Sequence, residues 1–173
     1  MTDKPKPTGR EVTFGEDEFI VSKTDLQGRI TYCNDVFIRV AGYSERQLMG
    51  APHSIIRHPD MPRAVFKLLW DRLQLRQEVF AYVLNMGQSG DGYWVMAHVT
   101  PSIDESGNVR SYHSNRRKPR PDAVDKVRGL YRGLLEIERA SPNRKDGLVA
   151  SSGALNVQLE RIGVDYDQFV LSL

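Results

Sequence analysis

Arg57-His58-Pro59-Asp60-Met61-Pro62 places two side chains able to carry positive charge, a carboxylate and two prolines in six consecutive positions. Just beyond it, Val65, Phe66, Leu69 and Leu73 recur at helical spacing, with Trp70 beside them. Asp60 is a suitable N-cap for that helix, and Pro62 fits its first turn, where a missing N–H costs little. Strand-like segments lie on both sides, so the 57–62 stretch reads as the mouth of a ligand cleft.

Towards the N-terminus, Phe19-Ile20-Val21-Ser22-Lys23 and Arg29-Ile30-Thr31-Tyr32-Cys33 are β-rich and separated by the turn residues Asp25-Leu26-Gln27-Gly28, which predicts a hairpin. Asn34 or Asp35 can cap a short helix that Gly42 closes. Ser44 with Gln47 three residues on forms a capping box for another, ended by Gly50. On the C-terminal side, strand patterns cover 79–84, 93–100 and 109–116, broken by turns at 89–92 and 104–108. Short turns imply antiparallel neighbours. The fold class is therefore α+β: about five antiparallel strands with helices on one face, leaving a cleft between the layers. The segment 116–121, Arg-Arg-Lys-Pro-Arg-Pro, reads as a solvated charged boundary. After it, Asp122 is expected to cap a helix with an apolar stripe of Val124, Val127, Leu130, Tyr131, Leu134 and Leu135. Residues 141–147 read as a loop, and Leu155, Leu159 and Ile162 as one more short helix. The divisions are a cap at 1–16, a main domain at 17–118, and a linker with helical extension at 119–173.

The 173 residues, 40% of them hydrophobic, suffice for one cored domain and an extension. Lys and Arg number 24 against 22 Asp and Glu, too even a balance for nucleic acid to be the expected partner. A single cysteine, Cys33, excludes an internal disulfide and suits a reducing compartment. The start lacks an apolar signal region, and no apolar run nears the ~20 residues needed to cross a bilayer. The expected location is cytoplasmic. No base-plus-nucleophile arrangement stands out, so no enzyme is expected.

The order of elements and several motifs resemble a PAS domain, in particular the flavin-binding PAS domain of bacterial aerotaxis receptors. The resemblance is carried by residues 25–32, by Asn34-Asp35-x-Phe37, by Gly42-Tyr43-Ser44-x-x-x-Leu48-x-Gly50, and by residues 90–95. Its most specific part runs from Pro52 through Arg57-His58-Pro59-Asp60-Met61-Pro62 to Phe66. The resemblance implies a non-covalent FAD whose redox state reports energy or oxygen status. It further implies Asn34, Arg57, His58, Asp60, Trp70 and Asn85 as flavin-pocket positions. The family usually has a Trp where this chain reads Glu78-Val79-Phe80, a departure at the position of one aromatic flavin contact. The receptors also carry a membrane anchor and a signalling domain. Neither is expected from this sequence, so a separate transmembrane chemotaxis transducer is the expected partner, met through the sheet face and the helix at 122–140. A PAS homodimer is a further expectation.

The residues themselves add to this. Arg57 and His58 precede a helix N-terminus, which attracts anions such as a pyrophosphate; surface pairing of Arg57 with Asp60 is the bland alternative. Asn85 ends an apolar strand, and an inward amide there needs a partner. Trp70 suits either core packing or ring contact. Cys33 lies at a strand end rather than on the helix beside the flavin, which argues against a photoreceptor. Two alternatives stand beside FAD: a heme sensor with His53 or His58 as axial ligand, and a ligand-free PAS interaction module.

Overall fold

The structure is a computed structural model that describes residues 4–173. Of the predicted cap at 1–16, residues 1–3 therefore lie outside the described residues. The hairpin is β1 (Ile20–Thr24) and β2 (Ile30–Cys33), followed by α1 (Asp35–Ala41) and α2 (Glu45–Leu48). A 3-10 turn at His53–Ile56 leads to α3 (Arg63–Gln74). Three longer strands complete the sheet: β3 (Val79–Met86), β4 (Gly92–Ile103) and β5 (Val109–Arg117).

All pairings are antiparallel, and the strand order is β2-β1-β5-β4-β3. Strands β1 and β5, far apart in sequence, sit side by side with Ser22 opposite Ser114. Side chains alternate between faces along each strand. The inner face meets α1 to α3 and holds Ile20, Val83, Val95 and Val99. The local caps match the sequence signals. Asn34 Oδ1 accepts from Phe37 N–H at α1, and Ser44 with Gln47 forms a reciprocal capping box at α2.

The cap expected at α3 differs. Its N-cap is Pro62, without a side-chain bond. The Asp60 carboxylate instead takes Arg139 at 3.0 Å. The acceptor for the α3 N-terminus arrives from far along the chain: Glu138 Oε1 accepts from Ala64 N–H at 3.2 Å.

Residues 121–173 carry the expected helical extension. They form α4 (Pro121–Ala140), α5 (Arg144–Ile162) and α6 (Tyr166–Ser172). The first begins at Pro121 with Arg120 as N-cap, two residues before the expected cap at Asp122, because proline is pre-set for the first helical position. The expected loop at 141–147 shrinks to 141–143, since Asn143 caps α5 through the N–H groups of Lys145 and Asp146. The α4 stripe packs on the outer face of the chain's own sheet. Tyr131 stacks near Trp94, and its hydroxyl donates to the Tyr82 carbonyl at 2.7 Å. So the stripe that was expected to help meet a partner is covered within the chain. Helix α6 reaches the β3 edge, where Asp167 pairs with Arg72 and accepts from Phe80 N–H. An N-terminal strap closes the other side: Gly92 N–H donates to the Arg10 carbonyl, and Val12 N–H to that of Gly92.

Candidate ligand-binding site

Between α3 and the inner face of the sheet lies a cavity of about 270 Å³. One stripe of α3 forms its helix side: Phe66, Leu69, Trp70 and Leu73. Alternate strand positions form its sheet side, among them Ser22, Asn85, Val99 and Tyr112. Trp70 is held firmly in this wall. Its ring meets Tyr112 edge-on with centroids 5.3 Å apart. The Gly28 backbone, at φ 75°, passes so close that an added Cβ would lie 3.4 Å from the indole.

The charges are one-sided. Arg57 and Arg116 line the cavity, and among the described residues no Asp or Glu does. The Arg57 guanidinium lies 3.7 Å from the Phe66 ring centroid, and its Nε has no hydrogen-bond partner among the described residues. Arg116 is 2% exposed. It donates from Nη2 to Ser22 Oγ at 2.5 Å and lies 4.5 Å from the Phe37 ring centroid, while its Nε and Nη1 have no hydrogen-bond partner among the described residues. Burial pulls the Arg116 pKa down to about 10, so it stays charged at neutral pH. Ser22 Oγ also shares a hydrogen bond with His53 Nε2 at 3.1 Å. Burial, with Arg116 and Arg57 adding to it, pushes His53 down to about 3, so that imidazole is neutral. The cavity thus combines apolar walls, an aromatic ring, an amide and N–H donors that lack protein acceptors. A flat conjugated ring with carbonyl groups and a negatively charged tail fits this donor set, and a flavin is such a group.

The structure brings Arg57, Trp70 and Asn85 together on the cavity wall. Asn85, 4% exposed, lies beside Arg57 through a backbone bridge. Asn34, His58 and Asp60 lie outside the lining. Asn34 is committed to local structure: its Oδ1 accepts from the N–H groups of Phe37 and Val21, and its Nδ2 donates to the Phe19 carbonyl. His58 is buried at 7% exposure, with Nδ1 accepting from Asp60 N–H at 3.1 Å, and burial lowers its pKa. Asp60 borders a separate groove with Trp94, Tyr131 and Arg139. Cys33 is buried at the end of β2, away from the cavity lining, and burial raises its thiol pKa.

Arg116 is the wall residue that sequence reasoning passed over. Its run of basic neighbours suggested a solvated boundary. The period of two in Tyr112, Ser114 and Arg116 does place it on the inner face.

The PAS fold family matches residues 18–113 of the chain. The aerotaxis receptor of Escherichia coli K12 is 36% identical over 155 residues, which is 90% of this chain and 30% of that receptor. The chain thus spans under a third of that relative's length. Among solved structures, a light-state LOV domain of the blue-light photoreceptor Aureochrome1 is 24% identical, with a TM-score of 0.56 over 68% of this chain and 91% of that one. A light-oxygen-voltage domain studied with a flavin analogue is 20% identical, with a TM-score of 0.57 over 68% and 87%. Both show the same fold.

Proposed function

The chain belongs to the PAS fold family, and from that premise we propose that it is a flavin-binding sensor that holds FAD non-covalently and reports its redox state in aerotaxis. The observation that carries this reading is the cation-lined cavity, with unpartnered arginine N–H groups, no carboxylate among its described lining residues, and Trp70 and Asn85 in its walls. The likeness to an aerotaxis receptor, and to a domain that has been studied with a flavin analogue, supports it.

At about 270 Å³ the cavity is near the low end for ligand pockets, which run from ~300 Å³ upwards. It suits the ring system of the flavin, with the phosphates towards solvent. Arg57 is half-buried, nearer solvent than Arg116, and would serve the phosphates. Trp70 would contact the ring system. Asn34, His58 and Asp60 would act from behind the wall, Asn34 by holding α1 to β1 and the other two by shaping the turn that carries Arg57. A bound flavin supplies electron transfer coupled to proton uptake at the ring. The Asn85 amide has a donor end and an acceptor end, so a 180° flip lets it follow that change. Residues 17–118 would be the sensor and 119–173 the output segment. The proposed setting is cytoplasmic and non-enzymatic. Among the described residues no helix is long and apolar enough to cross a membrane. A separate transmembrane transducer is the proposed partner, meeting the outer sheet face that α4 leaves open.

The heme alternative is less well supported. His53 Nε2 is engaged by Ser22, and His58 does not line the cavity.

Purified protein should be yellow, with a flavin absorption spectrum that bleaches on reduction. The cofactor released by denaturation should run as FAD in chromatography. A Soret band would replace this reading with heme. A colourless protein that FAD cannot reconstitute would leave an interaction module.

A further inference from the structure

Arg116 raises a question that its own protein neighbours do not answer. A buried cation normally has a carboxylate beside it, because an unpaired charge in a dry site is costly. Here Nη2 meets a neutral serine hydroxyl, and Nε and Nη1 have no hydrogen-bond partner among the described residues. Tyr93 is the nearby group that could become an anion, but its burial raises its pKa and keeps it neutral. The side chain is also held in place. It rises from β5 between β1 and β4, opposite Ile20 and Ala97, and its guanidinium lies over Phe37. Arg116 lines the cavity, so a fixed positive charge, with two covered donors that lack an acceptor among the described residues, lies in its wall.

We propose that Arg116 positions the cavity's ligand by gripping its carbonyl-bearing, electron-rich edge, and that its charge makes the reduced ligand bind more tightly than the oxidised one. The inference rests on the flavin reading. One edge of the flavin ring bears two carbonyls flanking ring nitrogens, and reduction adds electron density there. A fixed cation at that edge therefore favours the reduced form and raises the midpoint potential. The guanidinium fork suits two acceptors on one edge, which a point charge does not. His53 stays neutral and adds no charge. Its bond to Ser22 holds the hydroxyl that anchors Nη2.

The test compares wild type, Arg116→Gln and Arg116→Lys, each as the full chain, with FAD as the probe. Gln keeps an amide donor and drops the charge. Lys keeps the charge and loses the fork. Arg116→Gln should bind FAD about 10-fold to 100-fold more weakly, and its midpoint should move to more negative potential. Arg116→Lys should recover the midpoint more than the affinity. Without FAD, Arg116→Gln should melt no lower than wild type, because it removes an unpaired buried charge; with FAD, wild type should gain more thermal stability. A purely structural arginine gives the reverse: a lower melt without FAD and an unchanged midpoint in whatever protein loads. That result overturns the inference, as does a wild type that binds FAD while the Gln variant matches it in affinity and midpoint. A wild type that takes up no FAD overturns the flavin reading, and this inference falls with it.

Discussion

His53 shows how one residue can be legible in type and still missed in role. The sequence marked it as a possible axial ligand of a heme. The fold places its ring 6.0 Å from that of Phe37 and against Ser22, under the positive field of two arginines. The consequence is a pH dependence of stability. The folded pKa is about 3, whereas an unfolded histidine titrates at about 6.5. Between those values the unfolded chain binds a proton that the folded one refuses, so stability falls as pH drops through that window. The slope is at most about 1.4 kcal/mol per pH unit. Screening trims it, because the residue keeps some exposure. Urea unfolding across this range should show the decline, and His53→Gln should flatten it in part. His58 is shifted the same way, so some slope remains in that variant. Parallel curves for the two proteins would rule His53 out as the source. For the other candidates, the family resemblance implied a ligand role. Asn34, His58 and Asp60 are as polar as Asn85, and only the turn of the chain decides which of them face the cavity.

At the scale of elements, the strands and the short capped helices were readable because their information is local: alternation, turn residues and cap spacing. The start of α3 was not, because its cap comes from Glu138, on another helix. That carboxylate accepts from Arg63 Nε at 2.8 Å, from Ala64 N–H, and from Ser151 Oγ at 3.0 Å, so it joins α3, α4 and α5. Gly147 makes the joint possible, since an added Cβ would lie 2.8 Å from the Glu138 carbonyl oxygen. In sequence the same glycine looked like part of a loop. Glu138→Ala leaves Arg63 and the α3 N-terminus without their acceptor and should cost about 2–4 kcal/mol. Amide exchange should speed up first in α5 and in the first turn of α3. If exchange there stays at the wild-type rate, the carboxylate is incidental to the joint. Because α3 also carries Phe66 and Trp70, this joint links the cavity wall to the C-terminal helices.

Across the whole molecule, the division into cap, sensor and extension followed composition and the extent of the resemblance, and neither reports long-range packing. Both end segments return to the sheet. Glu11 on the strap makes a two-pronged ion pair with Arg128 of α4, and Arg10 makes another with Asp91 beside the β3–β4 turn. Deleting residues 1–12 removes both pairs and the backbone bonds at Gly92, which should loosen α4 from the outer face and leave the cavity intact. The two tryptophans make that prediction directly visible. Trp70 stands in the cavity wall and Trp94 lies under α4 on the opposite side of the sheet. They are two intrinsic fluorophores reporting two separate events. Flavin uptake should quench Trp70 by energy transfer at short range, and release of α4 should shift Trp94 emission to the red. With Trp70→Phe and Trp94→Phe as single-channel versions, the truncated protein should show a red-shifted Trp94 and an unchanged Trp70. A shift in both channels would mean that the strap supports the cavity as well. The sheet thus separates an optical readout of occupancy from one of output, within the unlabelled chain.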